Sequence, residues 1–368
     1  MPGSQSTSNP PSSAAPSAAA NAPEPAIVPK EKSARIAVAP SHPADGDTSG
    51  EEDGAEEEAA VEDAEILEDL PDDTQEIELV HSRLSSISKL GLQRFGPYLK
   101  KLCLRQNYIS VLDPEILKTL VVLEELDLYD NKVKHVGEGL DELGNLLVLD
   151  LSFNLLRHVP DTLSKLSSLK TVYFVQNKIA HITNLEGVGR TLRSLELGGN
   201  RIRTIENLDA LEILEELWLG KNKISKLENL GRLKRLKILS IQSNRITKLE
   251  GLENLENLEE LYLSHNGIER LEGLEHNLKL RTLDIGNNFV PALENISHLI
   301  NLEELWINDN KITSLTDLEP QLKHVATLET IYLEGNPCQK SEGSSYRRKV
   351  VLALPQVKQL DATFVKQT

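Results

Sequence analysis

A short pattern of leucines recurs through most of the chain. The string L-x-x-L-x-L-x-x-N-x-I returns repeatedly, and its asparagine position can be followed through twelve copies. These positions lie 22 to 26 residues apart, at Ser82, Asn107, Asn131, Asn154, Asn177, Asn200, Asn222, Asn244, Asn266, Asn288, Asn310 and Asn336. A period this short and regular indicates one small structural unit that stacks on copies of itself.

The first half of each copy predicts a short β-strand. In the copy at residues 214–222, the leucine pair Leu217 and Leu219 is separated by Trp218. Successive side chains of a strand point to opposite faces, so both leucines point inward and Trp218 points outward. The asparagine after the strand is expected to be buried, where its amide can bond the free backbone groups of neighbouring copies.

The second half of each copy predicts a narrow return segment. Apolar residues follow at every third position, as at Ile224, Leu227 and Leu230, which suits the three residues per turn of a 3-10 helix. A wide strand layer and a narrow return layer make the stack curve. We therefore predict an α/β leucine-rich repeat solenoid of about twelve 22-residue turns. It has a parallel concave sheet, a convex side of 3-10 and short helices, and a C-terminal cap.

The sequence divides the chain into three parts. Residues 1–65 are rich in Pro, Ser and Ala and then become acidic, a composition that predicts a disordered tail. Residues 66–336 contain the repeats. Residues 337–368 are expected to cap the last turn, with Val350, Val351 and Leu354 of an amphipathic helix covering the open core. We expect no appended domain, because the chain ends at this cap.

The net charge of −17 is unevenly distributed. Residues 45–78 contain 17 carboxylates and no Lys or Arg, so this segment alone equals the net charge of the chain. The remainder has no basic excess to neutralise a phosphate backbone, which argues against nucleic-acid binding.

No apolar stretch approaches the roughly 18 residues of a membrane span. Two cysteines cannot build a disulfide framework or a four-cysteine zinc site.

In every turn, the outward residue between the two inward leucines is not needed to fill the core. We call this set the concave column. It contains five aromatic, five acidic and no basic residues, in the order Glu78, Cys103, Asp127, Asp150, Tyr173, Glu196, Trp218, Ser240, Tyr262, Asp284, Trp306 and Tyr332. An exposed aromatic and acidic strip predicts a binding site for a basic, partly apolar partner. The alternative interpretation is side-by-side packing of residues that favour strands.

No motif in the sequence predicts catalysis. There is no Gly-rich phosphate loop, no HExxH and no nucleophile elbow. Asp127 and Asp150, on adjacent strands, are the available acid/base pair, but no loop insertion forms a pocket around them. Nothing near Cys103 marks it as an activated nucleophile. We therefore expect a binding protein rather than an enzyme, with no cofactor and no metal site.

The repeat and its terminal segment together resemble one protein family. The 22-residue period, the number of turns, the acidic lead-in and the Asn-Pro…Tyr-Arg…Leu-Pro…Leu-Asp cap at residues 336–361 are similar to those of the leucine-rich-repeat regulatory subunit of type-1 protein phosphatase. The resemblance covers residues 66–368. It implies a non-catalytic subunit that binds the phosphatase catalytic subunit through its concave face, often together with inhibitor-3. It also implies control of phosphatase activity, maturation or targeting, including in mitosis, and a location in nucleus and cytoplasm.

The resemblance also implies which side chains make the contact. The family's contact positions correspond here to Asp150, Tyr173, Glu196, Trp218, Asp284, Glu304, Trp306 and Tyr332, and Tyr262 joins them from the same column. Residues 170–174 match the [K/R]-x-V-x-F string by which many regulators hold this phosphatase. Val172 and Phe174 fall at inward positions, however, so we expect them to belong to the core.

Two other functions remain open from the sequence. The same repeat type occurs in structural adaptors of cytoskeletal or ribonucleoprotein complexes, although these usually have fewer turns or an appended domain. An enzyme with an acidic site at Asp127 and Asp150 is the third hypothesis. We expect the free chain to be a monomer before it forms a complex.

Overall fold

The structure is a computed structural model that describes residues 33–35 and 66–366. Its strands form one sheet of 15 strands that follow one another in chain order. All are parallel to their neighbours except the last, which is antiparallel. They are β1 Ser33–Arg35, β2 Glu76–Glu78, β3 Lys101–Cys103, β4 Glu125–Asp127, β5 Val148–Asp150, β6 Thr171–Tyr173, β7 Ser194–Glu196, β8 Glu216–Trp218, β9 Ile238–Ser240, β10 Glu260–Tyr262, β11 Thr282–Asp284, β12 Glu304–Trp306, β13 Thr330–Tyr332, β14 Gln359–Leu360 and β15 Thr363–Phe364. The predicted leucine-rich repeat solenoid is confirmed.

The strands stack without any shift in register. Leu217 in the middle of β8 pairs with Leu239 in β9, and Trp218 pairs with Ser240. The same alignment holds at every step from β2 to β13. Each position of the repeat therefore becomes a column of side chains that runs the length of the sheet.

The asparagine after each strand ties its own turn to the preceding one. The Asn222 amide donates to the carbonyl oxygens of Leu197 at 2.9 Å, Leu219 at 3.0 Å and Gly220 at 3.2 Å. Its side-chain oxygen accepts from the Ile202 backbone N–H at 3.0 Å. Equivalent bonds recur from Asn107 to Asn336, which confirms the predicted ladder.

A second asparagine column on the convex side was not predicted. Its members adopt a left-handed backbone and donate to a carbonyl of the preceding turn, as Asn207 does to Ile182 at 2.7 Å. Asn184, Asn229 and Asn295 make the same bond. Gly251 takes this position in another turn with φ +70°, and a Cβ there would lie 2.6 Å from the Leu227 oxygen. The backbone conformation thus explains why this position is Asn or Gly.

The return segments are mostly hydrogen-bonded turns, with helices only in some repeats. The α-helices of the repeats are α1 Pro114–Leu117 and α2 Leu318–Leu322, and the 3-10 helices are Leu92–Phe95, Asp161–Lys165 and Glu186–Val188. Between residues 189 and 317 the structure assigns no helix. Bonds such as Leu233 N–H to Leu230 O, at 3.0 Å, still follow the three-residue spacing of the leucines.

Both ends of the stack are covered. At the N-terminal end, β1 pairs with β2, so Ser33–Arg35 is an exception to the predicted disorder of residues 1–65. The rest of that prediction lies outside the described residues. At the C-terminal end, α3 Pro337–Glu342, a 3-10 helix at Gly343–Ser345 and α4 Tyr346–Ala353 follow β13. Val350 and Leu354 are fully buried in the core, and Val351 is partly buried against it.

Asp361 closes the C-terminal end of the ladder. One of its carboxylate oxygens accepts from the backbone N–H groups of Leu333 at 2.9 Å and Glu334 at 3.0 Å. The Tyr346 hydroxyl donates to the same carboxylate, and burial raises the pKa of Tyr346. None of the helices in the described part of the chain is long and apolar enough to span a membrane.

Candidate partner-binding face

The concave column points outward as predicted. The inward residues Leu217 and Leu305 are completely buried, whereas Trp218, Trp306 and Tyr332 are each partly exposed. The alternation follows from the strand geometry, since both neighbours of every outward residue are core leucines or equivalents. None of the three large aromatic side chains is turned into the leucine interior.

Four aromatic side chains form a continuous row over the C-terminal half of the sheet. The rings of Trp218 and Tyr262 are 6.3 Å apart and nearly parallel. The rings of Tyr262 and Trp306 are 6.5 Å apart, and those of Trp306 and Tyr332 are 5.8 Å apart, both edge to face. These separations lie in the range of favourable aromatic pairs. We call these four residues the aromatic row.

The aromatic row closes over small residues on the intervening strands. Ser240 lies between Trp218 and Tyr262, and Asp284 lies between Tyr262 and Trp306. Their exposed fractions are only 4% and 2%. The alternation of large and small residues therefore lets rings two strands apart come into contact.

Asp284 accordingly differs from the other predicted contact residues. Its carboxylate accepts from the Gly286 backbone N–H at 3.0 Å and from the Gln242 amide at 2.9 Å. It belongs to the predicted column but is covered, so it supports the row from below instead of facing a partner. The sequence did not reveal this, because the covering rings come from neighbouring turns.

Carboxylates in the adjoining column hold the rings in place. The Tyr262 hydroxyl donates to Glu260 at 2.7 Å, and the Trp306 indole N–H donates to Glu304 at 3.1 Å. Burial and the Glu260 bond both raise the pKa of Tyr262. Glu304 thus lies where predicted and also orients its neighbour, which reduces the freedom the row would lose on binding.

An acidic group lies beside the aromatic row. Asp150, Tyr173 and Glu196 pair in register on β5, β6 and β7. Neither carboxylate forms a salt bridge with any residue that the structure describes. Burial, with the charge of Asp150, raises the pKa of Glu196, and burial together with both carboxylates raises that of Tyr173. The site thus holds uncompensated negative charge that a basic partner can neutralise.

The N-terminal end of the face is different because a cation there pairs with an outward carboxylate. Arg105 pairs with Asp127 at 3.3 Å and lies over the Tyr129 ring at 4.3 Å. A cavity of about 370 Å³ lies here. Burial raises the pKa of Cys103 to about 11, so the thiol stays protonated at neutral pH. Burial also raises the pKa of Asp127, with Asp150 as a further cause.

These features give no support for chemistry at the predicted acid/base pair. Asp127 is already bonded to the Tyr129 backbone N–H at 3.0 Å. Within residues 33–35 and 66–366, no group of three or more His, Cys, Asp or Glu side chains is arranged to hold a metal ion.

A hollow beside Trp218 was not predicted from the sequence. It has a volume of about 590 Å³, and Gly198, Gly220 and Ser264 contribute to its lining. Each glycine occupies the first outward position after its strand, so no side chain fills the space beside the indole. The phosphatase-docking string is excluded as a surface feature, because Val172 and Phe174 are fully buried.

Comparisons with known proteins agree with this architecture. A family model described as "Leucine-rich repeat" matches residues 186–263 and 254–368. An internalin structure from Listeria monocytogenes covers 80% of this chain and 82% of its own, with a TM-score of 0.67 and 24% identity. A leucine-rich-repeat protein of Leptospira interrogans gives a TM-score of 0.61 at 25% identity, over 78% of this chain and 84% of its own. These structures support the fold alone.

Curated relatives that match this chain are named as regulatory subunits of protein phosphatase 1. Protein phosphatase 1 regulatory subunit SDS22 of Saccharomyces cerevisiae is 48% identical over 85 residues, 23% of this chain and 25% of that protein. Protein phosphatase 1 regulatory subunit 7 of Homo sapiens is 61% identical over 46 residues, 12% of each chain. The aligned parts thus span a quarter or less of these relatives. By its repeat, its stacked strands and these matches, the chain is a leucine-rich-repeat protein that resembles the regulatory subunits of type-1 protein phosphatase.

Proposed function

We propose that this chain binds the catalytic subunit of type-1 protein phosphatase through its concave face and regulates it without catalysing a reaction. The observation that carries the proposal is the aromatic row together with Asp150 and Glu196 beside it, which form no salt bridge within the described residues. A row of pre-oriented rings offers apolar anchors, and Asp150 and Glu196 offer sites for Lys or Arg of the partner. The names of the curated relatives supply the identity of that partner.

The anchors are expected to be Trp218, Trp306 and Tyr332. Large aromatic side chains at the centre of an interface commonly lose about 2 kcal/mol or more of binding free energy on truncation. The acidic residues are expected to act mainly on orientation and association rate, because charged pairs at partly solvated sites steer encounter more than they add affinity.

The test is a titration of purified catalytic subunit with the full chain and with the double variant Trp218→Ala/Trp306→Ala. We expect the dissociation constant to rise at least 100-fold, about 3 kcal/mol. The matched control replaces two exposed aromatic residues outside the row, Tyr98 and Tyr108, by alanine, and should bind normally. Unchanged binding by a folded double variant would refute the proposal. In a separate pull-down with the tagged full chain, recovery of tubulin or ribonucleoprotein in place of phosphatase would favour the structural-adaptor alternative.

The family resemblance also motivates finer proposals. We propose that the complex can include inhibitor-3, that it acts in nucleus and cytoplasm and during mitosis, and that the free chain is a monomer. Fractionation of cells, with immunoprecipitation from the nuclear and cytoplasmic pools, tests the first two. Light scattering of the purified chain tests the third.

A further inference from the structure

The loops that leave four consecutive strands carry a concentration of positive charge. We define the basic flank as residues 178–181, 201–204, 223–226 and 245–248. It contains seven Lys or Arg residues, one His, no carboxylate and no aromatic residue. The net charge of the repeats does not reveal this surface, because the cations of these loops are balanced by carboxylates at other positions of the repeat.

The solenoid stacks these cations in register. Each loop begins with a basic residue directly after the ladder asparagine, namely Lys178, Arg201, Lys223 and Arg245. Their backbone N–H groups all donate to a carbonyl of the preceding turn at 2.8 Å, as Lys223 does to Ile202. Neighbouring cations are therefore about one strand spacing, roughly 4.8 Å, apart along the flank.

Most of these cations are unneutralised. Lys178, Arg201, Arg203, Lys223 and Arg245 form no salt bridge with any residue the structure describes. The outer positions have acidic neighbours. Lys226 and Glu228 are separated by 3.7 Å, Lys248 and Glu250 by the same distance, and the His181 ring lies 3.0 Å from Glu206. Aligned like charges without counter-charges are a ready site for an anion-rich ligand.

We propose that the basic flank binds an acidic polypeptide segment of a partner protein. Charge complementarity requires an anionic ligand, and the linear array suits an extended chain. Four cations spaced by one strand each span about 14 Å, the length of four or five extended residues. A single-stranded nucleic acid is disfavoured, because the four loops offer no aromatic side chain on which a base can stack.

The flank and the concave face are separate surfaces. None of the basic-flank residues lines the hollow beside Trp218. Each of these loops begins directly after a ladder asparagine and has a fully buried isoleucine as its second residue. An acidic segment can therefore bind while the concave face is occupied, and this inference does not depend on which partner the concave face takes.

The test measures binding of a fluorescent polyglutamate peptide to the full chain by anisotropy, at low and at physiological salt. The double variant Arg201→Glu/Lys223→Glu should bind on the order of tenfold more weakly, and wild-type binding should weaken as salt rises. The matched control Lys89→Glu/Lys340→Glu makes the same change in net charge at exposed sites away from the flank and should bind like wild type.

Three outcomes would overturn the inference. The first is absence of peptide binding at low salt, and the second is equal loss in both double variants, which would indicate a diffuse field effect. The third is displacement of the peptide by oligouridine at a lower concentration than by unlabelled polyglutamate, which would identify a nucleic-acid site. Circular dichroism and retained binding at the concave face establish that each variant is folded.

Discussion

The substitution Asn277→Leu is expected to stabilise the solenoid, because it removes a buried polar group that lacks a partner. Asn277 is fully buried at a position where the neighbouring turns have Leu255 and Leu299. Its amide donates to the carbonyl oxygens of Leu252 and Leu255, each at 3.0 Å. Its side-chain oxygen has no hydrogen-bond partner within the described residues.

The magnitude follows from three contributions. The two carbonyls that Asn277 bonds already accept backbone N–H groups, from Leu255 at 3.0 Å and Leu258 at 3.1 Å. Losing the two side-chain bonds therefore costs only about 1 kcal/mol each. Removing the unsatisfied oxygen raises the free energy of unfolding by about 1–3 kcal/mol. Burying a leucine of similar size raises it by about 1.5–3 kcal/mol more. The net gain is about 2 kcal/mol.

The assay is urea unfolding of the full chain followed by circular dichroism. The midpoint should rise by roughly 0.5 M or more with an unchanged slope. The matched control Leu255→Asn places the same amide in the preceding turn and should lower the midpoint. A lower midpoint for Asn277→Leu would refute the reasoning, because it would mean that the Asn277 oxygen is satisfied in solution.

Two further substitutions test the ladder and the acidic group. Asn222→Ala removes the acceptor of the buried Ile202 N–H and should cost about 2–3 kcal/mol of unfolding free energy in urea. Asn257→Ala removes two exposed side-chain hydrogen bonds, to the Lys234 carbonyl and from Lys279, and should cost well under half of that; equal losses would contradict the ladder. Because burial raises the pKa of Glu196 in the folded chain, its contribution to stability falls as pH rises through that pKa. Glu196→Gln should therefore stabilise the fold near neutral pH, with a gain that shrinks towards about pH 4 in urea titrations; a pH-independent difference would contradict this assignment.

The sequence predicted those features that are imposed within a single turn. Alternation at Leu217, Trp218 and Leu219 determines which side chains face inward, because a strand has a period of two. The asparagine ladder could be predicted for the same reason, since Asn222 must satisfy backbone groups of its own loop. The column of outward aromatic residues then follows from counting turns.

Features that depend on contacts between turns could not be predicted in this way. Asp284 was expected to face a partner, but the rings of Tyr262 and Trp306 cover it from adjacent strands. The second asparagine column is visible in the sequence, because an Asn or Gly recurs directly before a leucine of the convex side, as at Asn207 and Gly251. Its meaning required the left-handed backbone that the structure provides.

The placement of charge has a consequence for how the two surfaces act together. In a compact domain, a cation that lacks a partner can usually reach an anion nearby. In this solenoid every position of the repeat becomes its own column, so the carboxylates of Asp150 and Glu196 and the cations of Arg201 and Lys223 belong to different faces. These carboxylates and cations remain available to ligands, whereas other opposite charges do pair between turns, as Arg281 and Glu303 do at 2.9 Å. Because sites without shared contacts act independently, combining the concave and flank variants should leave each loss at its single-variant value, with phosphatase binding weakened only by Trp218→Ala/Trp306→Ala and peptide binding only by Arg201→Glu/Lys223→Glu.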